Sequence, residues 1–526
     1  MDPQTARKSV LVLDVGTTTV KAFIFDGTAQ VLGQASVKLN LVYPHPGWVE
    51  IKPDHLWDCV VRVIQEAQKD SGIGFKEITC MGISTLRATF VTWNKTTGKE
   101  FHNFITWKDI RADALVKSWN QSLTMKGLRA GSGALHFLTG QKRFKVASIL
   151  SLQNKMVNMR LLWALQNCPD LAQAAKSSNA LFGTVDTWLL YKLSKGSKHM
   201  SDVGNASATG LYDPFTMAYG DWAFKLFGIP QNIMPEVVDT AGSHFGAVDP
   251  SIFGSSIPIR SIMADQSAAA FGSGCFQLGD AKMTLGTGSF LDVNSGQKPH
   301  ASINGLVPVI GWRTKDDLVF FAEGCKNDTS SVIEWGLGMN FFEDPAETSD
   351  IAESVANQDF SLFFVPGFCG LQAPISDPSA TAGLIGMNPK TSRPDIVRAI
   401  LESIAFTMKQ LVQTMDEESD YEIKDIQIDG GVSCNNFIVQ MIANLTGRPI
   451  FRASSSEMSA FGTAFMAGLN EGVWNSLEDL KKLRSIERVF QPCQDEKHLA
   501  DLKRHYERWI AACHRFTHWN TDTKSL

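Results

Sequence analysis

Apolar positions along this chain fall into two rhythms. In VLVLDVGTTTVKAFIF (residues 10–25), two apolar runs flank a short turn of glycine and hydroxyl residues, which predicts two strands and a hairpin-like turn. The apolar spacing then lengthens to a helical period near 55–69. Strand patterns return at EITCMGIS (77–84) and over Phe90–Trp93. From about 108 to 245 the pattern is mostly helical, as in NKMVNMRLLWALQN, and at PIRSIMA (258–264) a strand leads into the helix start DQSAAAFGSG.

The first pattern then recurs. AKMTLGTGSFLDVN (281–294) is again an apolar strand, a Gly-Thr-hydroxyl turn and an apolar strand, and MTLGTGSFLDV parallels LDVGTTTVKAF. This reads as a weak internal duplication, two related sheets that each offer a phosphate-sized turn. Further on, DIQIDGGVSCNNFIVQMIANLTG (425–447) predicts strand, Gly-Gly turn and helix, and the remainder from about 476 reads as helical and charged.

Composition narrows the classes. At 526 residues the chain is long enough for two or more domains, and 44% hydrophobic against 20% charged residues supports a large core. A formal charge of −5 argues against a general nucleic-acid binder. The nine cysteines include no C-x-x-C pair, so neither a zinc framework nor a disulfide scaffold is expected. The early apolar run Val10–Leu13 ends at Asp14, too short for a signal-peptide core or a membrane span. A cytoplasmic protein without membrane insertion is the expectation.

Four stretches can carry chemistry. In DVGTTT, Gly16 permits a tight turn, Thr17, Thr18 and Thr19 can donate to a phosphate chain, Lys21 adds a point charge, and Asp14 at the strand end suits Mg²⁺. The competing reading is a plain hairpin of β-formers. In LGTGSF, Gly286 and Gly288 around Thr287 let a backbone come close to a ligand. In IDGGVSCNN, Gly430 and Gly431 sit where a strand meets a helix, either a bare loop or an amide-rich nucleotide contact. In MADQSAAAF, Asp265 is a helix N-cap or a general base facing the crevice at the carboxyl end of a strand.

Taken in order, DVGTTTVKAFIFD, YPHPGWVEIKPDHLW, ADQSAAAFGSG, LGTGSF and IDGGVSCNNFIVQMIANLTGRPI resemble the FGGY carbohydrate kinases. PGWVE, TGKEFHNFITWKD and TSRPDIVRAILESIAF are most similar to the glycerol kinase branch. The resemblance runs from about residue 9 to 471. It implies an α/β fold of two actin-like (ribonuclease H-like) domains with ATP in the cleft between them. An N-terminal domain would span 9–272 and a C-terminal nucleotide-binding domain 280–475, with a helical extension over 476–526.

Carried over position by position, the resemblance places Thr17 and Thr18 on the nucleotide phosphates, with Asp14 near Mg²⁺ and Thr287 in the second phosphate loop. Gly431 and Asn435 fall at the adenosine site, and Ser330 on the nucleotide side. Asp265 becomes the base, Gln266 and Arg87 polyol ligands, and Trp107 an aromatic wall. Lys21 stands where the branch usually has arginine.

The polyol end departs from the branch. STLRATFVTW (Ser84–Trp93) keeps Arg87 but has Ala88 where glycerol kinases typically carry glutamate, and Lys155 falls near the place of a pocket tyrosine. A hydrogen bond to a charged group contributes about 1.5–3 kcal/mol, so the lost glutamate weakens polyol binding by roughly 10- to 100-fold. ATP binding is expected to survive better than glycerol specificity.

The expected activity is ATP-dependent phosphorylation of a polyol, glycerol to glycerol 3-phosphate first. Two alternatives stay open: a kinase for a different sugar or polyol, and a nucleotide-binding regulatory or scaffold protein with weak or no kinase activity. Homo-oligomers and regulatory protein partners are compatible with each.

Overall fold

The computed structural model describes residues 8–355 and 361–520. Its first sheet grows from β1 (Ser9–Val15), in which all seven residues are buried. A central strand covered on both faces has no polar side to show, which is why the alternation of a half-exposed strand is missing there. β2 (Thr19–Asp26) and β3 (Val31–Lys38) follow antiparallel, while β4 (Cys80–Thr85) and β5 (Ile259–Ala264) lie parallel, in the order β5–β4–β1–β2–β3. Helix α1 (Pro53–Ser71) covers this sheet with the stripe Leu56, Cys59, Val60, Val63, Ile64 and Ala67, and ends at Gly72 in the left-handed conformation.

Between β4 and β5 the chain builds α2 (Asp113–Gln121), α3 (Leu123–Thr139), α4 (Lys142–Ser148) and α5 (Val157–Asn167). The helical expectation for 108–245 holds as far as residue 176. Beyond it, short strands at Ala180–Thr184, Met200–Asp202 and Glu236–Val238 are interspersed among helices. Ala180–Thr184 is buried throughout, and over so few residues period alone cannot separate a strand from a buried helix.

The second sheet contains β6 (Ala281–Leu285), β7 (Ser289–Gly296), β8 (Val307–Arg313), β9 (Leu318–Lys326), β10 (Ile426–Asp429), β11 (Ile450–Ala453) and β12 (Ile486–Phe490). Their order is β8–β9–β7–β6–β10–β11–β12. Its core, β9–β7–β6–β10–β11, repeats β3–β2–β1–β4–β5 with the same antiparallel and parallel pairings. The duplication read from the two turns is thus a duplication of topology. Strand β12 pairs with β11, so the stretch read as a helical extension also lengthens this sheet. The last six residues of that stretch lie outside the described residues.

The helices of the second half follow the same plan. After α6 (Asp265–Gly272), which leaves β5, come α7 (Ser330–Gly338), α8 (Arg393–Glu418), α9 (Asn436–Thr446), α10 (Met458–Asn470) and α11 (Glu496–Arg515). Helices α6 and α10 each follow the last core strand of their sheet, and they pack on one another where the halves meet. Their backbones touch through glycines: a Cβ on Gly462 would lie 1.7 Å from the Ala268 carbonyl oxygen, and one on Gly272 would lie 2.3 Å from that of Met458.

Candidate active site

Strand ends of the two sheets meet between the halves, where Arg87 and Gln266 of one contact Glu323 and Thr284 of the other. Asp14, at the end of β1, is buried and accepts a 2.9 Å hydrogen bond from the Ser459 hydroxyl at the start of α10. Burial pushes its carboxyl above the usual carboxylate range, against the lowering effect of the Ser84 and Ser459 hydroxyls. The turn that follows is closed by Gly16 N–H donating to the Thr19 carbonyl at 2.9 Å. It leaves Thr18 exposed, while Thr17 accepts at 3.0 Å from the indole N–H of Trp107. Trp107 and the first turn are therefore one unit. Lys21 points to Glu457, whose two oxygens each accept from its ammonium at 2.7 Å.

Asp265 is the first residue of α6, and Ala264 occupies the N-cap position with no side-chain cap bond. The carboxylate is therefore not spent on capping. Among the described residues it accepts only the adjacent Gln266 N–H, at 2.8 Å, and it lies 3.9 Å from Nε of Arg87. Burial raises its pKa to about 6; Arg87 works against that shift and Asp14 adds to it. A carboxylate titrating there is ionised at neutral pH yet basic enough to accept a proton. Gln266, next along, accepts at 3.2 Å from the Thr284 hydroxyl of β6, joining the two halves.

Arg87 donates from Nη2 to Glu323 of β9. Burial disfavours the guanidinium charge, but Glu323, then Asp265 and Asp292, overcome this and hold Arg87 firmly ionised. Asp292 of β7 stands directly opposite Glu323 in the ladder, and burial followed by the Glu323 charge keeps it well above the usual carboxylate range. Lys282, buried in β6, pairs with Asp429 at 3.0 Å and also donates to Thr284. Ala88 sits at φ +56°, and its carbonyl accepts from Arg160 Nη2 at 2.8 Å. Lys155 reaches to 3.4 Å from the Cys325 sulfur; that sulfur first, and Glu323 after it, raise the lysine pKa against burial.

Sequence reasoning singled out Arg87, Asp265 and Gln266, which the fold brings together. It missed Glu323, Asp292 and Lys282. The signal was present as charges inside apolar strands, in LVFFAEGCK, SFLDVNSG and AKMTL. A buried charge in such a run needs a partner.

The second Gly-Thr turn is closed by its own backbone. Gly286 N–H donates to the Gly288 carbonyl at 3.0 Å, Thr287 is exposed, and Ser330 N–H donates back to the Gly286 carbonyl at 3.2 Å. A Cβ on Gly288 would meet the Lys326 carbonyl oxygen at 2.6 Å, so this turn needs its second glycine. Gly430, at φ +92°, packs against Leu285, while a Cβ on Gly431 would face open space. Asn435 caps α9 by accepting from Ile438 N–H at 3.1 Å, and its amide donates to Thr348 at 2.9 Å.

The model of the FGGY family of carbohydrate kinases matches in both parts, its N-terminal domain over residues 9–272 and its C-terminal domain over 281–471. A Danio rerio protein called glycerol kinase 5 is 48% identical, covering 97% of each chain. A Homo sapiens protein of that name is 45% identical over 98% of this chain and 96% of its own. Among solved structures, Plasmodium falciparum glycerol kinase with ADP superposes with a TM-score of 0.85 at 28% identity, covering 96% of this chain and 98% of that one.

Proposed function

Because the chain belongs to the FGGY family of carbohydrate kinases, it is an ATP-dependent kinase, and we propose that its acceptor is a polyol, glycerol first. The observation that carries this reading is the meeting of Arg87, Asp265 and Gln266 at the mouth between two phosphate-sized turns. The names of the relatives from Danio rerio and Homo sapiens point to the same acceptor.

In the proposed mechanism, Arg87 and Gln266 orient a terminal hydroxyl, with Trp107 as the pocket wall. Asp265 accepts the hydroxyl proton as the oxygen bonds to the γ-phosphorus of ATP. The bond from that phosphorus to the ADP oxygen breaks, leaving polyol phosphate and ADP. Hydroxyls and backbone N–H groups of Thr17, Thr18, Thr19, Gly286 and Thr287 hold the phosphates, while Ser330, Gly431 and Asn435 bound the adenosine. Lys21 joins the phosphate contacts by leaving Glu457. Phosphoryl transfer then rests mainly on positioning and charge neutralisation.

Asp14 fits a Mg²⁺ site: a hard-oxygen carboxylate at the strand end whose burial leaves it under-neutralised in the protein alone. Asp14 would be a protein ligand there, with phosphate oxygens and water filling other positions. Bound there, Mg²⁺ would supply charge neutralisation to the phosphates of ATP.

Ala88 and the cationic Lys155 at the acceptor end favour a second reading, a different sugar or polyol. Transfer from radiolabelled ATP across a panel of polyols and sugars, with glycerol included, tests both. Stimulation by glycerol above the rest supports the first reading, and stimulation by another acceptor supports the second. Tight ATP binding with no acceptor-stimulated turnover would overturn both in favour of a regulatory nucleotide-binding protein.

A further inference from the structure

Away from the cleft, the segment between Asp113 and Asp170 contains no aspartate or glutamate, although the chain as a whole carries a formal charge of −5. Within it, α3 and α4 form a hairpin that packs mainly on itself and on α2. Its root is fixed: Met125 is buried, and Arg129 donates to the Leu150 carbonyl at 2.8 Å and to Asn120 Oδ1 at 3.0 Å. Its outer face is not covered. Leu123, Ala130, Ala134, Phe137 and Leu138 recur at helical spacing, and all are exposed: Leu123 by 84%, Phe137 by 88% and Leu138 by 76%. The stripe of α1 has the same spacing and is buried against a sheet. Beside the apolar tip stand the exposed cations Lys142, Arg143 and Lys145, and Lys126 is exposed nearer the root.

We propose that the α3–α4 hairpin is a docking surface for an anionic lipid bilayer. Phe137 and Leu138 enter the boundary between headgroups and acyl chains, and the neighbouring lysines and arginine pair with lipid phosphates and carboxylates. Docking is peripheral, since no helix among the described residues is long and apolar enough to cross a membrane. Charge decides against a second copy of this chain as the occupant. Two such hairpins packed face to face would bring Lys126, Lys142, Arg143 and Lys145 against their own images with no carboxylate on the segment to offset them. A nucleic-acid backbone would be met by cations without a bare apolar tip at their centre.

The test is co-sedimentation of the full chain with phosphatidylcholine vesicles, with and without phosphatidylserine. Selective binding to the phosphatidylserine vesicles, weakened by high salt, is expected. Two variants, Phe137→Ser with Leu138→Ser, and Lys142→Glu with Arg143→Glu and Lys145→Glu, should each lose about tenfold or more of that binding. Both should keep the wild-type thermal midpoint and kinase activity, because these side chains face solvent. Equal binding to both vesicle types, or variants that bind as wild type does, would overturn the proposal. So would a dimer that the Phe137/Leu138 variant dissociates without any vesicle binding, which would identify a self-association face instead.

Discussion

Arg87, just past β4 in the N-terminal half, and Glu323, on β9 in the C-terminal half, form an ion pair that spans the cleft. The guanidinium is therefore held by a carboxylate from the opposite half, with Asp265 3.9 Å from its Nε. Opening the cleft must separate this pair. In the mechanism proposed above, the acceptor site would therefore be complete only when the two halves are together.

Arg87→Ala should raise KM for the acceptor by about 10- to 100-fold, the effect of losing a charged hydrogen bond. Glu323→Gln, which leaves Arg87 in place but unanchored, should raise it about 3- to 10-fold. KM for ATP should stay within about twofold in both, since neither group faces the nucleotide turns. Steady-state kinetics with each substrate varied provide the check; an equal rise in both KM values would remove Arg87 from the acceptor site.

Asp265→Asn should lower kcat by about 10²- to 10⁴-fold with KM values little changed, as expected for loss of a general base. A base must be ionised to act, and burial sets this one at about 6. In wild type, kcat/KM should therefore rise tenfold per pH unit below about 6 and level off above it. The variant's residual rate should show no such limb.

The same shift affects stability. The folded-state pKa of Asp265 is raised above the ordinary 3.8, so between that value and about 6 the folded chain holds a proton that the unfolded chain has released. Stability should fall as pH rises through this window and stay level above it. The total is at most about 3 kcal/mol, from about 1.4 kcal/mol per pKa unit. Asp265→Asn should melt at a higher temperature than wild type near pH 8, and the difference should close toward pH 4. A difference independent of pH would remove the assigned ionisation.

How much of this was legible depends on how local each feature is. The two Gly-Thr turns, Asp265 beside Gln266, and the Gly-Gly turn lie within single short stretches, where a strand end and a glycine identify them. Glu323, Asp292 and Lys282 act through partners in other strands or in the other half, and no spacing within one stretch encodes such a meeting. β12 was missed for a related reason. Ile486, Glu487, Arg488 and Val489 are exposed on a sheet edge, so tertiary pairing rather than hydrophobic rhythm makes them a strand.

Ala88→Glu would put a carboxylate beside Arg87 on the same wall of the cleft. The backbone there is already left-handed, and Arg160 holds the Ala88 carbonyl, so the substitution should leave the thermal midpoint nearly unchanged. If glycerol is the acceptor, its KM should fall by about 10- to 100-fold, the reverse of the deficit expected from the alanine. Weaker use of glycerol in the variant would instead mean that the methyl group of Ala88 shapes the pocket for another acceptor.

The contact between the halves predicts opposite signs for one and the same substitution. Gly462→Ala in α10 gains about 1 kcal/mol of helix propensity. However, its new methyl meets the Ala268 carbonyl oxygen at 1.7 Å and Gly272 N at 2.7 Å, all backbone atoms of α6 that no rotamer change can move aside. Forcing the helices apart should cost more than the gain, about 1–3 kcal/mol net, and lower the thermal midpoint. It should also lower kcat: α10 carries Ser459, which holds Asp14, and α6 begins with Asp265, so a shift between them displaces both carboxylates. Gly127→Ala in α3, where a Cβ meets nothing within 4 Å, carries the propensity gain alone. It should raise the midpoint by the equivalent of about 0.5–1 kcal/mol and leave turnover untouched. Matched melting curves and rates for the two variants provide the check, and a Gly462→Ala protein as stable and active as wild type would mean that the halves do not pack through these glycines.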